Sequence, residues 1–194
     1  LGAIDDGLAE LRQALGLYEK VGYAPNVAQT HADLGVTLRT AGNLTASHYH
    51  FEQALGIWEA EGNRAGMANA LNSIGVSYHS RGEYEKALDY FGIALQRARE
   101  AGSDWVSGFI LAGMGDTHLA LGHIGEALSA YKQSQVLAHE VDDSYLSGYL
   151  LGALANVHLL RHEPAEALDL ARQAYERANE RGARAEAATY QIIL

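Results

Sequence analysis

The chain has 194 residues, a net charge of −10 at neutral pH and no cysteine. Without cysteine it has no disulfide framework and no thiolate nucleophile or metal ligand, which fits a reducing compartment such as the cytoplasm. The negative charge argues against nucleic acid as a direct ligand, because phosphate binding needs clustered Lys and Arg, whereas a basic or neutral peptide is easier to accommodate. The most apolar run, residues 145–160, is too short to span a bilayer.

The first predicted helix, within residues 1–22, has the pattern of the second helix of a truncated repeat. Apolar residues recur at helical spacing between Leu8 and Tyr18. In the next repeat, residues 23–62, the first helix is expected to start at Asn26 or Val27, just after Pro25. The second helix of that repeat is the most divergent, with Thr45, Ser47, His48 and His50 at positions that are mostly apolar one repeat later.

Residues 63–102 show the repeat most fully. Asn63 is a good N-cap, because its short side chain can accept from the free N–H groups of the first helical turn. Gly82 can take the left-handed conformation that ends a helix. The segment therefore reads as a hairpin of two helices, each with an apolar face. These faces contain Leu71, Ile74, Gly75 and Tyr78 in the first helix, and Tyr84, Ala87, Leu88, Phe91, Ala94, Leu95 and Ala98 in the second.

The remaining chain repeats this hairpin. Ser103 or Asp104 is the expected cap of the third repeat, and Asp143 and Ser144 begin the fourth. The second helix of the fourth repeat restarts at Glu163 and Pro164, where proline is tolerated in the first turn. We therefore predict one continuous array over 1–194. It is divided into 1–22, 23–62, 63–102, 103–142, 143–182 and a further truncated repeat at 183–194.

A period of 40 residues relates the repeats. Gly75 aligns with Gly35, Gly115 and Ala155, and Phe91 aligns with Phe51, Tyr131 and Ala171. A period this regular indicates a solenoid, in which each hairpin buries its apolar face against its neighbours. Glycine also recurs every 20 residues except at Asp142 and His162; it stands at 22, 42, 62, 82, 102, 122 and 182.

These residues resemble the tetratricopeptide repeat, most clearly between Leu71 and Ala94, although the usual period of that family is 34 residues. The lengthened repeat is similar to those of actinobacterial antibiotic-regulatory activators, STAND-type signalling ATPases, Pins-type adaptors and kinesin light chains. The resemblance implies an all-α, right-handed superhelical solenoid of antiparallel helix pairs. It further implies a non-catalytic scaffold that binds a protein or peptide in its concave groove.

In such arrays, a stripe beside the packing stripe of each first helix lines the groove. The resemblance places the candidate peptide-binding residues on that stripe. They are Gln29 and Arg39 with Ala32 and Val36 in repeat one, Asn69, Asn72, Val76 and His79 in repeat two, Phe109, Asp116 and Leu119 with Ala112 in repeat three, and Tyr149, Asn156 and Leu159 with Gly152 in repeat four.

The predicted groove changes character along the chain. Its early amides can hold the backbone of an extended peptide, because an amide both donates and accepts hydrogen bonds. Its later aromatic and aliphatic residues can contact apolar side chains, so we expect an amphipathic peptide as the ligand. The alternative is ordinary variation on a solvated face, with Phe109 and Tyr149 packing on neighbouring helices.

No cofactor is expected. Among the nine histidines, His118 and His158 share a repeat position, His123 is another candidate neighbour, and His158 and His162 have i, i+4 spacing, which could bridge a metal. However, His118 and His158 replace a packing residue and no supporting carboxylate is evident, so we expect no metal site. The sequence also has no nucleophile motif, phosphate loop or paired catalytic carboxylates, so we expect no enzyme.

Two alternatives to a peptide-binding arm of a larger transcriptional or signalling regulator stay open. One is a small-ligand sensor. The other is a self-assembly segment that associates end to end through its truncated repeats, since Ile192, Ile193 and Leu194 are not a polar cap. The truncated ends lead us to expect a fragment of a longer protein.

Overall fold

A computed structural model describes residues 2–191 of the chain. The C-terminal residues Ile192, Ile193 and Leu194, on which the self-assembly alternative depends, lie outside the described residues. Within 2–191 all regular structure is α-helical, which confirms the predicted fold class. The helices are α1 (Gly2–Val21), α2 (Ala24–Thr40), α3 (Leu44–Glu61), α4 (Arg64–Ser80), α5 (Tyr84–Glu100), α6 (Asp104–Ala120), α7 (Ile124–Glu140), α8 (Ser144–Leu160), α9 (Pro164–Glu180) and α10 (Arg184–Gln191).

The helices are separated by short turns that each contain one residue with positive φ. Glycine occupies most of these positions, as in Gly82 with φ of 76°. The two interruptions of the glycine series, Asp142 and His162, adopt the same conformation, with φ of 52° and 61°. Asp and His tolerate this region better than β-branched or bulky residues do. The turn geometry is therefore kept even where the glycine is replaced.

Side-chain caps begin several helices as predicted. Asn63 Oδ1 accepts from the backbone N–H of Gly66 at 3.0 Å, and Asp143 Oδ1 accepts from that of Leu146 at 2.8 Å. The expected start of α2 was wrong by two or three residues. The helix begins at Ala24, so Pro25 lies inside its first turn, where the missing proline N–H costs no helical hydrogen bond.

The chain forms two compact units, residues 1–106 and 107–194. In the first unit α1 packs on α2, α2 on α3, α3 on α4 and α4 on α5. In the second unit α8 packs on both α7 and α9, and α9 packs on α10. The division into 40-residue repeats stays a prediction. Among the described residues, no helix combines the length and apolar character needed to cross a membrane.

A glycine lies against an aromatic ring in three of the hairpins. A Cβ added to Gly75 would lie 2.8 Å from Phe91 Cδ1, and one added to Gly35 would lie 2.6 Å from Phe51 Cε1. At Gly115 the added atom would overlap the Tyr131 ring. In the fourth repeat the equivalent residues are Ala155 and Ala171, both fully buried. The glycine and the aromatic residue are therefore replaced together, by two alanines, which keeps the interior closely packed.

This contact makes Gly75 a packing residue, and Gly92 of the same repeat is its matched control. Nothing lies within 4 Å of a Cβ added to Gly92, which is exposed on α5. Gly75→Ala should lower the free energy of unfolding by about 1–3 kcal/mol, because the added methyl group overlaps Phe91. Gly92→Ala should raise it by about 1 kcal/mol, because alanine favours the helix more than glycine does.

Chemical denaturation followed by circular dichroism measures both effects. The larger Gly75→Leu change should lower the melting temperature further than Gly75→Ala does. If Gly75→Ala raises the free energy of unfolding as much as Gly92→Ala does, the Phe91 ring does not require a glycine at position 75.

Candidate functional site

In the first unit, part of the predicted stripe lines a cavity of about 210 Å³. Three of the candidate residues, Gln29, Asn69 and Asn72, belong to its wall, as do Ala32 and Val36. These residues come from α2 and α4, the first helices of their repeats. The other lining residues are not among those predicted from the sequence; they are Asp33, Phe51, Trp58, Ala70 and Ser73.

The amides of this cavity differ in how they are paired. Gln29 Nε2 donates to Asp33 Oδ1 at 2.9 Å, within one turn of α2. The Oδ1 atom of Asn72 is buried and accepts no hydrogen bond from the described residues. A buried acceptor without a partner costs roughly 1–3 kcal/mol and therefore needs an explanation. Asn72 is the one candidate residue of this cavity with such an atom.

In the second unit, four candidate residues line a cavity of about 310 Å³. They are Asp116 and Leu119 from α6, and Tyr149 and Asn156 from α8. Gly152, which the sequence analysis placed on the same stripe, is also in the wall. The remaining lining residues are Tyr131 from α7, Ala153 from α8, and Thr189 and Tyr190 from α10.

Asp116 organises this second cavity. Its Oδ1 atom accepts from the hydroxyl of Tyr131 at 2.7 Å and from that of Tyr149 at 2.6 Å. Burial raises the pKa of both phenols well above the usual value, and the negative charge of Asp116 raises it further. Both hydroxyls therefore stay protonated and remain donors at neutral pH.

Several candidate residues lie in neither cavity. Phe109 is half-buried against the core of the second unit, and its ring stacks on Tyr145 with centroids 6.4 Å apart. This is the packing role that the alternative interpretation gave it. His79 packs against the Tyr84 ring with centroids 5.3 Å apart. The others are Arg39, whose Nε is buried without a partner among the described residues, Val76 and Leu159.

Tyr131 is the residue that the sequence analysis missed and could have found. Asp116 occupies the repeat position of Val36 and Val76, as the aligned stripes show. Tyr131 occupies the position of Phe51 and Phe91. In the third repeat, therefore, a carboxylate and a phenol stand at two positions that are both apolar in the first two repeats. A paired change of this kind within an internal repeat indicates a contact between the two positions.

The histidine arrangement corrects one expectation. No carboxylate that could support a metal-binding histidine is evident from the sequence, but in the structure His158 Nδ1 lies 2.6 Å from Glu163 Oε2. The turn after α8 brings Glu163 back to the end of that helix. His162 lies in this turn and not in α8, so its i, i+4 spacing from His158 does not put both on one helix face. The described residues contain no group of three or more His, Cys, Asp or Glu that could hold a metal.

Two larger cavities of the second unit, of about 430 and 410 Å³, lie outside the predicted stripe. Both are lined by His139, Ser147 and Arg177. Their walls include several long exposed side chains, such as Arg177 in both cavities and Gln173 in the larger one. Such side chains lose rotamer freedom when a ligand binds, which opposes binding. The cavity around Asp116 is smaller, but Tyr131, Gly152 and Tyr190 form buried parts of its wall.

Comparison with known proteins identifies the repeat. Two family models, each described as a tetratricopeptide repeat, match residues 66–138 and 27–61. The chain belongs to the tetratricopeptide repeat family. Comparison with curated proteins gives no match.

Solved structures share the fold of this tetratricopeptide repeat chain. The apo quorum sensor NprR from B. thuringiensis has a TM-score of 0.83 and 20% identity, over 98% of this chain and 54% of that one. A Rap protein complexed with Competence and Sporulation Factor has a TM-score of 0.70 and 20% identity, over 95% and 56%. A STAND protein with a tetratricopeptide repeat sensor from Pyrococcus horikoshii has a TM-score of 0.73 and 15% identity, over 86% and 26%.

The chain thus spans about half the length of the NprR and Rap structures. At these identities the likeness shows a tetratricopeptide-like solenoid fold. The same repeat architecture is used in a STAND sensor, one of the protein classes that the sequence resembles.

The bonds to Asp116 predict how the chain responds to alkali. In the unfolded chain a phenol titrates at about pH 10, whereas burial raises the pKa of Tyr131 and Tyr149 in the folded chain. Because the folded pKa is raised, their contribution to stability is complete below about pH 10 and is lost as the pH rises further. Phenolate absorbance of the eleven tyrosines should therefore show at least two that ionise only on unfolding.

The double variant Tyr131→Phe/Tyr149→Phe should lose less stability above about pH 10 than the wild type does. Tyr23→Phe, at an exposed tyrosine, is the control. An unchanged alkaline slope in the double variant would contradict the raised pKa values.

Proposed function

We propose that this chain is a non-catalytic peptide-binding module, which acts as the interaction or sensor arm of a larger regulator in the cytoplasm. The stripes of α2 and α4 line the proposed site of the first unit, and the stripes of α6 and α8 line that of the second. The candidate stripe residues that fall outside both cavities, Arg39, Val76, His79, Phe109 and Leu159, stay part of the proposed surface only at its margins.

The observation that carries this proposal is the buried Oδ1 atom of Asn72, which has no partner among the described residues. It lines the cavity that also contains the amides of Gln29 and Asn69. A backbone N–H of an extended peptide is the donor that would satisfy it, and the neighbouring amides both donate and accept. A group that lowers the stability of the free protein fits a functional site, where stability and activity trade off.

The second cavity supports a peptide with mixed polarity. Leu119, Ala153 and the tyrosine rings provide apolar contacts, while Asn156 and Thr189 provide polar groups at the exposed rim. Ligand pockets commonly combine an apolar wall with a few polar groups. This composition suits an amphipathic peptide better than a nucleic acid, which the net charge of −10 would repel. A membrane partner is not part of this proposal.

The shared fold adds support from two proteins. NprR is described as a quorum sensor, and the Rap protein was solved in a complex with Competence and Sporulation Factor. A fold of this kind thus occurs in a quorum sensor and in a protein that forms a complex with a named factor. That the ligand of the present chain is a peptide is inferred from the residues of its own cavities.

Asn72→Ala tests the proposal. Removal of a buried unsatisfied amide should leave the melting temperature unchanged or slightly raised. Affinity for peptides selected from a random displayed library should fall about tenfold, which corresponds to the loss of one buried hydrogen bond of about 1.4 kcal/mol. Calorimetric titration of the selected peptides gives the affinity, and thermal unfolding gives the stability.

Asn179→Ala is the control, since Asn179 is an exposed amide on the second helix α9. It should leave peptide affinity unchanged. If Asn72→Ala lowers the melting temperature and leaves peptide affinity unchanged, Asn72 is a packing residue and the groove assignment is wrong. If the library yields no binder to the wild type, peptide binding is refuted.

A further inference from the structure

The cavity around Asp116 has one formal charge in its wall. Of the described residues that line it, only Asp116 is acidic or basic; the rest are aromatic, aliphatic or neutral polar. Asp116 is only half-exposed, so water screens its charge less than it would at the surface. A ligand group that enters the cavity therefore experiences a negative potential.

Two hydrogen bonds hold this carboxylate in place. The hydroxyls of Tyr131 and Tyr149 both bind Oδ1, at 2.7 and 2.6 Å, from helices on two sides. They orient the carboxylate and support its ionised form without cancelling its charge, because each phenol stays neutral. The ion is thus preorganised before any ligand arrives, which reduces the cost of binding.

Tyrosine is the commonest residue in this wall. Tyr131, Tyr149 and Tyr190 all line the cavity, and Tyr131 and Tyr190 are buried. The face of an aromatic ring carries partial negative charge and attracts ammonium and guanidinium groups. Leu119 and Ala153 complete an apolar wall that can contact the methylene stem of a long cationic side chain.

We propose that this cavity is a cation-binding subsite, in which Asp116 and the rings of Tyr149 and Tyr190 receive an ammonium or guanidinium group of the peptide. The inference rests on the proposed function, because it names the chemistry of one ligand residue. A lysine or arginine side chain and a free peptide amino terminus share this chemistry. The net charge of −10 favours the approach of such a ligand.

The cavity of the first unit is a useful comparison. It also contains a carboxylate, Asp33, beside Phe51 and Trp58. However, Asp33 is exposed and accepts its hydrogen bond from Gln29 of its own helix. Solvent screens an exposed charge, so its contribution to binding a cation is small. The preference for a cation should therefore depend on Asp116.

The test uses a synthetic library of hexapeptides that are acetylated at the amino terminus and amidated at the carboxyl terminus, so that only side chains carry charge. For selected sequences, lysine or arginine at the preferred position should bind the wild type about tenfold more tightly than norleucine there, a difference of about 1.4 kcal/mol. Asp116→Asn should abolish this preference. Asp169→Asn, which removes the same charge from the exposed face of α9, should keep it.

A second arm leaves the amino terminus free and replaces lysine and arginine by norleucine. A gain in affinity on freeing the terminus, again lost in Asp116→Asn, assigns the subsite to the terminal ammonium. Asn156→Lys is an independent variant at an exposed residue of the cavity rim. Its added ammonium should compete with the ligand and abolish the preference even if Asp116→Asn does not fold.

The outcomes separate this inference from the proposed function. Peptides that bind with no preference for a cation, in either arm, overturn the subsite and leave peptide binding intact. If no peptide binds, the proposed function fails, and titration of the protein with n-butylguanidinium by nuclear magnetic resonance decides the subsite. Shifts that disappear in Asp116→Asn support it, and no shift in the wild type overturns it.

Discussion

The contact between a glycine in the first helix and an aromatic ring in the second is the constraint on which each of the first three hairpins depends. Gly75 and Phe91 make it in the second repeat, with less space than one methyl group between them. Phe91 is fully buried, so the ring cannot move aside cheaply. The distance between the two helices is thereby set by one side chain, and the rest of the hairpin packs around it.

The same constraint explains why the adjacent positions can vary. Because the glycine and the ring hold the helices together, the neighbouring stripe tolerates polar groups beside residues that pack on the core, such as Phe109. Asn72 lies three residues before Gly75, and its buried amide oxygen has no partner among the described residues. A scaffold stabilised elsewhere tolerates such a group, and the stability lost there is available as binding energy.

In the third repeat the packing contact itself has acquired a polar function. Tyr131 still covers a glycine, Gly115, as Phe91 covers Gly75. Its hydroxyl also binds Asp116, which replaces the valine of earlier repeats. The ring maintains the hairpin, and the oxygen at its end orients a carboxylate toward a cavity. A structural position and a candidate binding position are thus joined in one residue.

By itself the sequence determined the helical fold, most helix limits and the caps at Asn63 and Asp143, and it predicted the stripe that contains Asn72, Asp116 and Tyr149. These follow from spacing along the chain, because the helical period and the 40-residue repeat are local properties. Only the tertiary structure decided that Tyr190 shares a cavity with Asp116, that His158 pairs with Glu163 and that Phe109 packs on Tyr145. These contacts join separate helices or cross a turn, so their geometry depends on how the helices pack and on how the chain reverses between them.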